Sequence, residues 1–409
     1  MQQFTQLLEP LTEREQVVLR LLATGLSNRQ IGEQLSLTLH TVKWYVKQIF
    51  AKLDVRRRTE AVAVAQSMGL LNSAGVVPSA DHNLPVAVTP FVGREAELTT
   101  LAMLLNRPTT RVVTITGLGG IGKSRLALEA AARYHQTQAI ETYFVPLAGA
   151  HSADALAKSI AAAINFQFSS SLNLERQLLA GLRHRSLLLL LDSVEHLLDS
   201  AYLVSRIVEA SPAIKVLVTS RECLQLRGET IFAIQGLDYK PEPCEQGSAE
   251  QMFMQTAARL QPTFRPGDHE RAIIGHICRL VEGMPLAIEL AASWMDVLPP
   301  DRILAEMEDS LSFLGRQIRN VPDRHLSIRA VFAHSWDRLS PEEQSTLKRL
   351  SVFEGGFNQA AAEQVAGATI FSLSRLVNKS LVTRVGPDCY KLHDLLRQFA
   401  VERPATNKR

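Results

Sequence analysis

The chain has little of what marks secreted or membrane-spanning proteins. Its longest purely apolar runs are five residues, as in LLLLL at 187–191, whereas a membrane-spanning helix needs about 20. The N-terminal stretch MQQFTQLLEPLTERE lacks a cationic segment followed by an apolar one, so it does not resemble a secretion signal. These absences predict a cytoplasmic protein with no membrane partner.

Cysteine pairs and metal-binding histidine motifs are also missing. The four cysteines are scattered and contain no C-x-x-C pair: Cys223, Cys244, Cys278 and Cys389. They are therefore expected to be reduced thiols. The 11 histidines show no spacing such as H-E-x-x-H, so no metal site built from protein side chains alone is expected.

Over most of the chain, positive and negative charges balance, so there is little net charge. Residues 1–71 contain nine Lys/Arg and six Asp/Glu, whereas the remainder contains 35 of each. The whole net charge of +3 thus lies in the first module, which indicates an anionic partner there. The composition, 46% hydrophobic and 21% charged, is that of a folded protein, and 409 residues predict two to four domains.

The stretch VVTITGLGGIGKSRLALEAA, residues 112–131, passes from a strand pattern through a glycine loop into a helix pattern. Gly117, Gly122, Lys123 and Ser124 fit a phosphate loop, in which backbone N–H groups and a lysine hold phosphates and a hydroxyl faces Mg²⁺. The helix starting near Lys123 adds its positive dipole end. The predicted nucleotide ligands here are Gly117, Gly119, Gly120, Ile121, Gly122, Lys123, Ser124 and Arg125.

Two other interpretations of this stretch remain open. Gly117, Gly119 and Gly122 also fit the dinucleotide pattern G-x-G-x-x-G, but the only acidic candidate, Glu141, precedes the next strand instead of ending it. A chance glycine turn is the other alternative. Because Lys-Ser follows the glycines, we favour a nucleoside triphosphate site.

Four further strand patterns, at 142–147, 187–191, 215–219 and 230–234, predict a mostly parallel sheet covered by helices. Asp192 ends the leucine strand, where a carboxylate suits a Mg²⁺–phosphate site together with Ser124. Arg221 follows the next strand, where it would reach a γ-phosphate or form a surface ion pair.

In the first module, three helix patterns follow one another with capping signals. Thr12 with Glu15, and Ser27 with Gln30, form capping boxes, and Thr38 precedes the third helix. In that helix Val42, Val46, Ile49 and Leu53 share one face and Lys43, Trp44 and Lys47 the other, as in helix-turn-helix DNA readers. The predicted DNA contacts are Thr38, Thr41, Lys43, Trp44, Lys47, Lys52, Arg56, Arg57 and Arg58. A three-helix scaffold with a solvated lysine face is the alternative.

The segment from LTEREQ to RRRTEAV resembles a LuxR-type helix-turn-helix domain over its full length. The resemblance implies that the residues matching Lys43, Trp44 and Lys47 approach bases. It also implies that a fourth helix, here Thr59 to Met68, pairs two copies of the chain on double-stranded DNA.

The motifs FVGRE, GLGGIGKS, LLLLLDSVEHL, TSR, GMPLA and LHD occur in this order and resemble the NB-ARC class of STAND ATPases. Pro285 lies in the middle of a helix pattern, where proline is costly unless the helix starts at it, so a turn is expected at this point. The last motifs give a winged-helix-like ending. The predicted architecture is a multidomain α and α/β chain. Its parts are a helix-turn-helix domain (1–71), a linker (72–90), a P-loop domain (91–236), a helical domain (237–320), a winged helix (321–402) and a polar tail (403–409).

The NB-ARC resemblance implies a switch in which ADP is held between three domains and exchange for ATP opens the chain for self-association. By the match, Phe91, Val92 and Gly93 lie near adenine, Pro285 packs on the nucleotide, and His393 touches the β-phosphate. Relatives often have a second acid after the strand aspartate, where this chain has Ser193, and Glu195 is the nearest substitute. Hydrolysis is therefore expected to be slow or absent.

Relatives also continue into a repeat domain that senses the inducer, and no solenoid repeat is found here. A sensor acting in trans is thus one expectation. The favoured function is an ATP/ADP-switched transcription regulator. A DNA-associated ATPase, such as a loader or remodeller, and a scaffold with structural nucleotide are the alternatives.

Overall fold

The structure is a computed structural model. The structure describes residues 11–23, 27–35, 38–53, 55, 57–67, 81–239, 247–310, 313–315 and 327–403. The chain divides into two compact units, Met1–Ser79 and Ala80–Arg409. The polar tail after residue 403 and the predicted domain boundary at 320/321 lie outside the described residues.

The described residues of the first unit form four helices: α1 (Glu13–Ala23), α2 (Asn28–Leu35), α3 (Leu39–Lys52) and α4 (Arg58–Ser67). The three predicted caps are present. Glu15 N–H donates to Thr12 Oγ1 (3.3 Å), Gln30 N–H to Ser27 Oγ (3.4 Å) and Thr41 N–H to Thr38 Oγ1 (3.2 Å). The helices pack around a small apolar core: Leu11, Val18, Leu19, Leu22, Ile31, Val42, Ile49, Leu53, Ala61 and Ala65.

The second unit is built on a five-stranded sheet with strand order β2-β3-β4-β1-β5. The strands are β1 (Val112–Thr116), β2 (Glu141–Pro146), β3 (Leu187–Asp192), β4 (Ile214–Thr219) and β5 (Glu229–Ala233). All neighbouring pairs are parallel, so the predicted parallel sheet is confirmed.

Helices cover both faces of this sheet, which explains why β3 is a continuous run of leucines. Leu188 and Leu190 face one apolar cluster with α5 (Glu95–Asn106) and α6 (Lys123–Gln138). Leu187, Leu189 and Leu191 face the other. The helices on that second face are α7 (Ala153–Ala163), α8 (Leu174–Leu182) and α9 (Tyr202–Ala210).

Four helices follow the sheet: α10 (Ser248–Leu260), α11 (Asp268–Leu280), α12 (Pro285–Ala292) and α13 (Pro300–Asp309). Helix α12 begins at Pro285, so the turn expected there lies just before the helix, and proline at the first helical position loses no hydrogen bond. These helices share one apolar core with α5, α6 and the adjoining sheet face.

The last segment combines helices with short antiparallel strands, as expected for a winged helix. Its elements are α14 (Ile328–Trp336), α15 (Pro341–Leu350), β6 (Gly356–Phe357), α16 (Gln359–Ala366), α17 (Ile370–Asn378), β7 (Val382–Gly386), β8 (Cys389–Leu392) and α18 (Asp394–Glu402). The three strands form an antiparallel sheet in the order β6-β8-β7. Within the described ranges, every helix is too short or too polar to span a lipid bilayer.

Candidate nucleotide-binding site and DNA-binding surface

The glycine loop connects β1 to α6, at the carboxyl edge of the sheet. Gly117 has φ +152°, and a Cβ there would lie 2.8 Å from the backbone oxygen of Ile234. Gly122, with φ +93°, directly precedes α6. The loop thus follows a path that residues with side chains rarely adopt, and it ends at a helix N-terminus suited to anions.

Lys123 is folded back over this loop. Its Nζ donates to the backbone oxygens of Gly117 and Leu118, both at 2.8 Å. Burial first and the nearby Arg221 second lower the pKa of Lys123 to about 7, although Glu195 and Asp192 act in the opposite direction. An anion bound beside Lys123 would restore its charge.

Asp192 is fixed at the end of β3 by the neighbouring strand. Its Oδ1 accepts from Thr219 Oγ1 at 2.6 Å, and the same hydroxyl accepts from Ser193 N–H at 2.9 Å. Ser193 has φ +64°, so the chain turns sharply after the aspartate. The role of Thr219 was not anticipated from the sequence, although it belongs to the TSR motif.

Glu195 and Arg221 form a buried pair beside Lys123, with Arg221 Nε 3.4 Å from Glu195 Oε1. Burial opposes ionisation of Glu195, but Lys123, Arg221 and Arg338 outweigh it, so its pKa is lowered. Glu195 Oε2 is buried and has no hydrogen-bond partner within the described part of the chain. Arg221 Nη1 donates to Val331 O (2.9 Å) and Ser335 Oγ (2.6 Å) of α14.

These groups border a cavity of about 550 Å³, a size typical of small-molecule sites. Most of the predicted ligands line it: Phe91, Val92, Gly119, Gly120, Gly122, Lys123, Ser124, Arg125, Asp192, Glu195, Arg221 and Pro285. Three other predicted ligands are not in the lining but are close to lining residues in the sequence: Gly93, Gly117 and Ile121. The structure therefore brings together residues that are up to 194 positions apart in the sequence, from Phe91 to Pro285.

His393 is not among the residues that line the cavity, and its contact with a phosphate stays a prediction. Its Nδ1 accepts from Leu395 N–H (3.3 Å) at the start of α18 and lies 3.9 Å from Glu282 Oε1. The same glutamate accepts from Lys391 Nζ and Asp394 N–H, each at 2.7 Å. Glu282, two residues after the end of α11, thus holds the start of α18 beside the histidine.

Several cavity residues were missed from the sequence. Arg94 is buried, and its backbone lies in the left-handed region (φ +64°). Its guanidinium donates to the backbone oxygens of Ile121 (2.9 Å) and Gln235 (2.7 Å). Its position in the FVGRE motif was the available signal. Others carry no recognisable pattern because distant elements supply them: Phe144, Leu237, Met252, Gln255, Arg259 and Glu289.

The donor set fits a magnesium nucleotide better than a metal held by protein alone. Ser124 and Asp192 both line the cavity and offer oxygen atoms, which Mg²⁺ prefers. The described residues contain no cluster of three or more His, Cys, Asp or Glu that would hold a metal. Phosphates and water would have to complete the coordination, as is usual for Mg²⁺.

In the first unit, α3 exposes one polar row. Lys43, Trp44 and Lys47 are exposed on it, with 52% of Trp44 accessible. Thr38 caps the helix, and its hydroxyl lies 2.8 Å from that of Thr41. The opposite face buries Val42 and Ile49. This arrangement leaves the row available for a groove of DNA.

The other predicted DNA contacts are placed differently. Lys52 Nζ pairs with Glu15 Oε2 at 2.8 Å, and only 16% of its side chain is accessible, so it braces α3 against α1. Arg58 donates to Leu22 O at 2.7 Å, at the end of α1. Arg57 remains exposed, and Arg56 lies outside the described residues. Lys52 and Arg58 thus join helices within this unit, which indicates a scaffold role, and a DNA contact by either residue stays a prediction.

Two family models match the chain. One describes bacterial regulatory proteins of the luxR family and matches residues 9–65, and the other describes an AAA ATPase domain and matches residues 90–219. The two resemblances inferred from motifs are therefore confirmed at the level of a LuxR-type domain and a P-loop ATPase domain.

Two mycobacterial proteins are similar to this chain. A protein of Mycobacterium tuberculosis named as an HTH-type transcriptional regulator is 33% identical over 306 residues, which cover 72% of this chain and 34% of the regulator. An uncharacterized protein of the same organism is 31% identical over 341 residues, covering 80% of this chain and 84% of that protein.

Among solved structures, a STAND protein with a tetratricopeptide repeat sensor from Pyrococcus horikoshii gives a TM-score of 0.35 at 19% identity, covering 78% of this chain and 43% of that one. That similarity is too low to carry an argument. The chain spans about a third of the length of the named regulator. The chain has a luxR-family regulatory domain followed by an AAA ATPase domain, and it belongs to the same family as the mycobacterial protein that it covers to 84%.

Proposed function

We propose that this protein is a DNA-binding transcription regulator whose activity is switched by ADP and ATP. The first unit would bind double-stranded DNA through Lys43, Trp44 and Lys47, which form the exposed polar row of α3. The second unit would bind the nucleotide, with ADP in the resting state and ATP in the assembling state. The name of the related mycobacterial regulator supports a role in transcription.

The observation that carries the switch is the double attachment of Arg221. This residue lines the cavity beside Lys123 and also bonds to Val331 and Ser335 of α14. A triphosphate needs cationic partners for its γ-phosphate. We infer that the γ-phosphate competes with α14 for Arg221, and that a diphosphate leaves the contact with α14 intact.

Several residues of the cavity have defined tasks in this proposal. The loop amides and Lys123 would hold the β- and γ-phosphates, while Phe91, Val92 and Pro285 would pack against the base. Ser124 and Asp192 would hold Mg²⁺, which neutralises phosphate charge when it is bound. Thr219 keeps the carboxylate of Asp192 oriented for that task.

Glu195 is the proposed base for any hydrolysis, because its lowered pKa keeps it ionised and its Oε2 is unpaired in the described structure. Its other oxygen lies near Arg221, which weakens it as a base. We therefore propose slow hydrolysis that resets the switch. Replacing Glu195 with Gln should abolish turnover while ATP binding persists, and unchanged turnover would exclude this role.

The proposed partners are double-stranded DNA and further copies of the chain. Helix α4 would pair two DNA-bound copies, and the ATP-bound form would build a larger assembly. A separate protein would supply the inducing signal. Fast turnover stimulated by DNA, in the range of tens per second, would instead indicate a loader or remodeller.

The decisive experiment is to denature the purified protein and identify the released nucleotide. We expect stoichiometric ADP from the wild type and none from Lys123→Ala. Incubation with Mg²⁺ and a non-hydrolysable ATP analogue should then increase the particle mass measured by light scattering. Equal nucleotide content in both proteins would rule out the phosphate-loop assignment, and an unchanged mass with bound analogue would rule out the switch.

A further inference from the structure

The segment that leads into the ATPase motifs, and includes the first two residues of FVGRE, is docked on the sheet. We call residues 81–92 the strap. Thr142 N–H donates to the backbone oxygen of Asp81 at 3.0 Å, and His82 forms a parallel bridge with Thr142. The strap thus extends the sheet at β2, its edge strand. The sequence predicted a semi-flexible linker over 72–90, of which residues 72–80 lie outside the described residues.

Asn83 clamps the strap to β2 with its side chain. Its Oδ1 accepts from Phe144 N–H at 2.6 Å, and its Nδ2 donates to Phe144 O at 2.9 Å. A primary amide reproduces in this way the donor and acceptor of a neighbouring strand. Because the backbone of β2 is otherwise an unpaired edge at Phe144, this clamp satisfies both of its groups.

Both partners in the clamp, Phe144 on β2 and the strap, contribute residues to the nucleotide cavity. Phe144 itself lines it, and so does the far end of the strap: Thr89, Pro90, Phe91 and Val92. Arg125, next to the phosphate-loop Ser124, donates to the backbone oxygen of Thr89. The strap is therefore held at one end by Asn83 and at the other by residues of the nucleotide site.

We propose that Asn83 is a positioning residue for nucleotide binding, which acts by holding the strap as one wall of the cavity. The inference rests on the proposed nucleotide function and adds a regulatory consequence. Bound nucleotide and the Asn83 clamp stabilise the same docked strap, so each favours the other. Release of the 12 strap residues would add up to about 40 Å to the tether between the two units of the chain.

The test measures ADP affinity by calorimetry, with Mg²⁺ present, for the full chain. Asn83→Ala should weaken ADP binding about three- to tenfold, because part of the population then has the strap undocked. Val86→Ala is the matched control, since Val86 lies on the same strap and is 93% exposed. It should bind ADP like the wild type. The ADP affinity of Asn83→Asp, which keeps the acceptor and loses the donor, should lie between those of Asn83→Ala and Val86→Ala.

Hydrogen exchange at the Phe144 amide separates positioning from a general effect on stability. ADP should slow this exchange in the wild type, and Asn83→Ala should speed it while amides within β3 stay protected. Equal ADP affinity for Asn83→Ala and the wild type, with unchanged exchange at Phe144, would overturn this inference alone. Failure of the wild type to bind ADP would overturn the proposed function as well, so the two failures are distinguishable.

Discussion

Arg221 Nη1 donates to Ser335 Oγ across 2.6 Å, and this bond joins the end of the strand β4 to the helix α14. The same nitrogen donates to Val331 O, and Arg221 Nε lies 3.4 Å from Glu195 Oε1. A Cβ at Gly119 would lie 2.4 Å from a methyl of Val331. The glycine loop, the arginine and the winged-helix segment therefore meet at one point.

Replacing Ser335 with Ala should shift nucleotide preference toward ATP. The variant removes one acceptor that holds Arg221 on α14, so less free energy is needed to move Arg221 from α14 to a γ-phosphate. We expect the ratio of ADP affinity to ATP-analogue affinity to fall about threefold to tenfold, which corresponds to one hydrogen bond. Titration calorimetry with both nucleotides measures the ratio.

Ser327→Ala is the control for this prediction. Ser327 caps the same helix by accepting from Ala330 N–H at 3.1 Å, so its loss costs about 1 kcal/mol of stability without touching Arg221. An equal change of the affinity ratio in both variants would show that α14 stability, and not the Arg221 bond, sets the preference.

Binding of ADP should take up a proton near pH 8. Lys123 has its pKa lowered to about 7 in the free protein, by burial first and by Arg221 second. Phosphate oxygens favour the charged amine and raise that pKa on binding. Affinity should consequently decrease as the pH rises above 7, by at most about tenfold per unit. Calorimetry in buffers of different ionisation enthalpy at pH 8 would reveal the uptake, and identical heats in all buffers would contradict it.

Lys47 and Lys52 should behave differently although both belong to α3. Lys47→Ala removes an exposed cation from the polar row, so specific DNA binding should weaken and the salt dependence of log Kd should flatten by about one unit. Fluorescence anisotropy with operator DNA at several salt concentrations measures both quantities.

Lys52→Ala removes the partner of the buried Glu15 instead. It should lower the stability of the first unit by about 1–3 kcal/mol and leave the salt dependence unchanged. If Lys52→Ala flattened the salt dependence as much as Lys47→Ala, the scaffold assignment of Lys52 would be incorrect.

Acidification should destabilise the winged-helix segment through His393. Burial lowers the pKa of His393, and Lys391 adds to this effect while Glu282 opposes it. The unfolded chain takes up a proton near its ordinary pKa of about 6.5, whereas the folded chain resists it. Stability is therefore retained above about pH 6.5 and decreases below it, by up to about 1.4 kcal/mol per pH unit.

His393→Asn tests this dependence, because asparagine keeps an N-cap acceptor and does not titrate. The difference in Tm between pH 7.5 and pH 5.5 should be smaller in this variant than in the wild type. The exposed His269→Asn serves as the comparison and should keep the wild-type difference. An undiminished difference in His393→Asn would assign the acid sensitivity to other groups.

Local signals allowed much of the fold to be predicted. The capping pair Thr12–Glu15, the proline start of α12 and the leucine run of β3 each act within a few residues, so their patterns are legible in the chain. The glycine loop was identifiable for the same reason, because the spacing of its glycines already indicates the path of the backbone.

What the sequence determined by itself is thus the set of short-range elements and the chemistry of the phosphate loop. The tertiary structure decided where each long side chain ends. Lys52 and Arg58 carry charge as Lys47 does, yet they meet α1. His393 belongs to the LHD motif but faces Glu282, and Asn83, in a segment without a motif, clamps β2. These outcomes depend on which distant backbone lies opposite a side chain, and that is fixed only when the elements pack together.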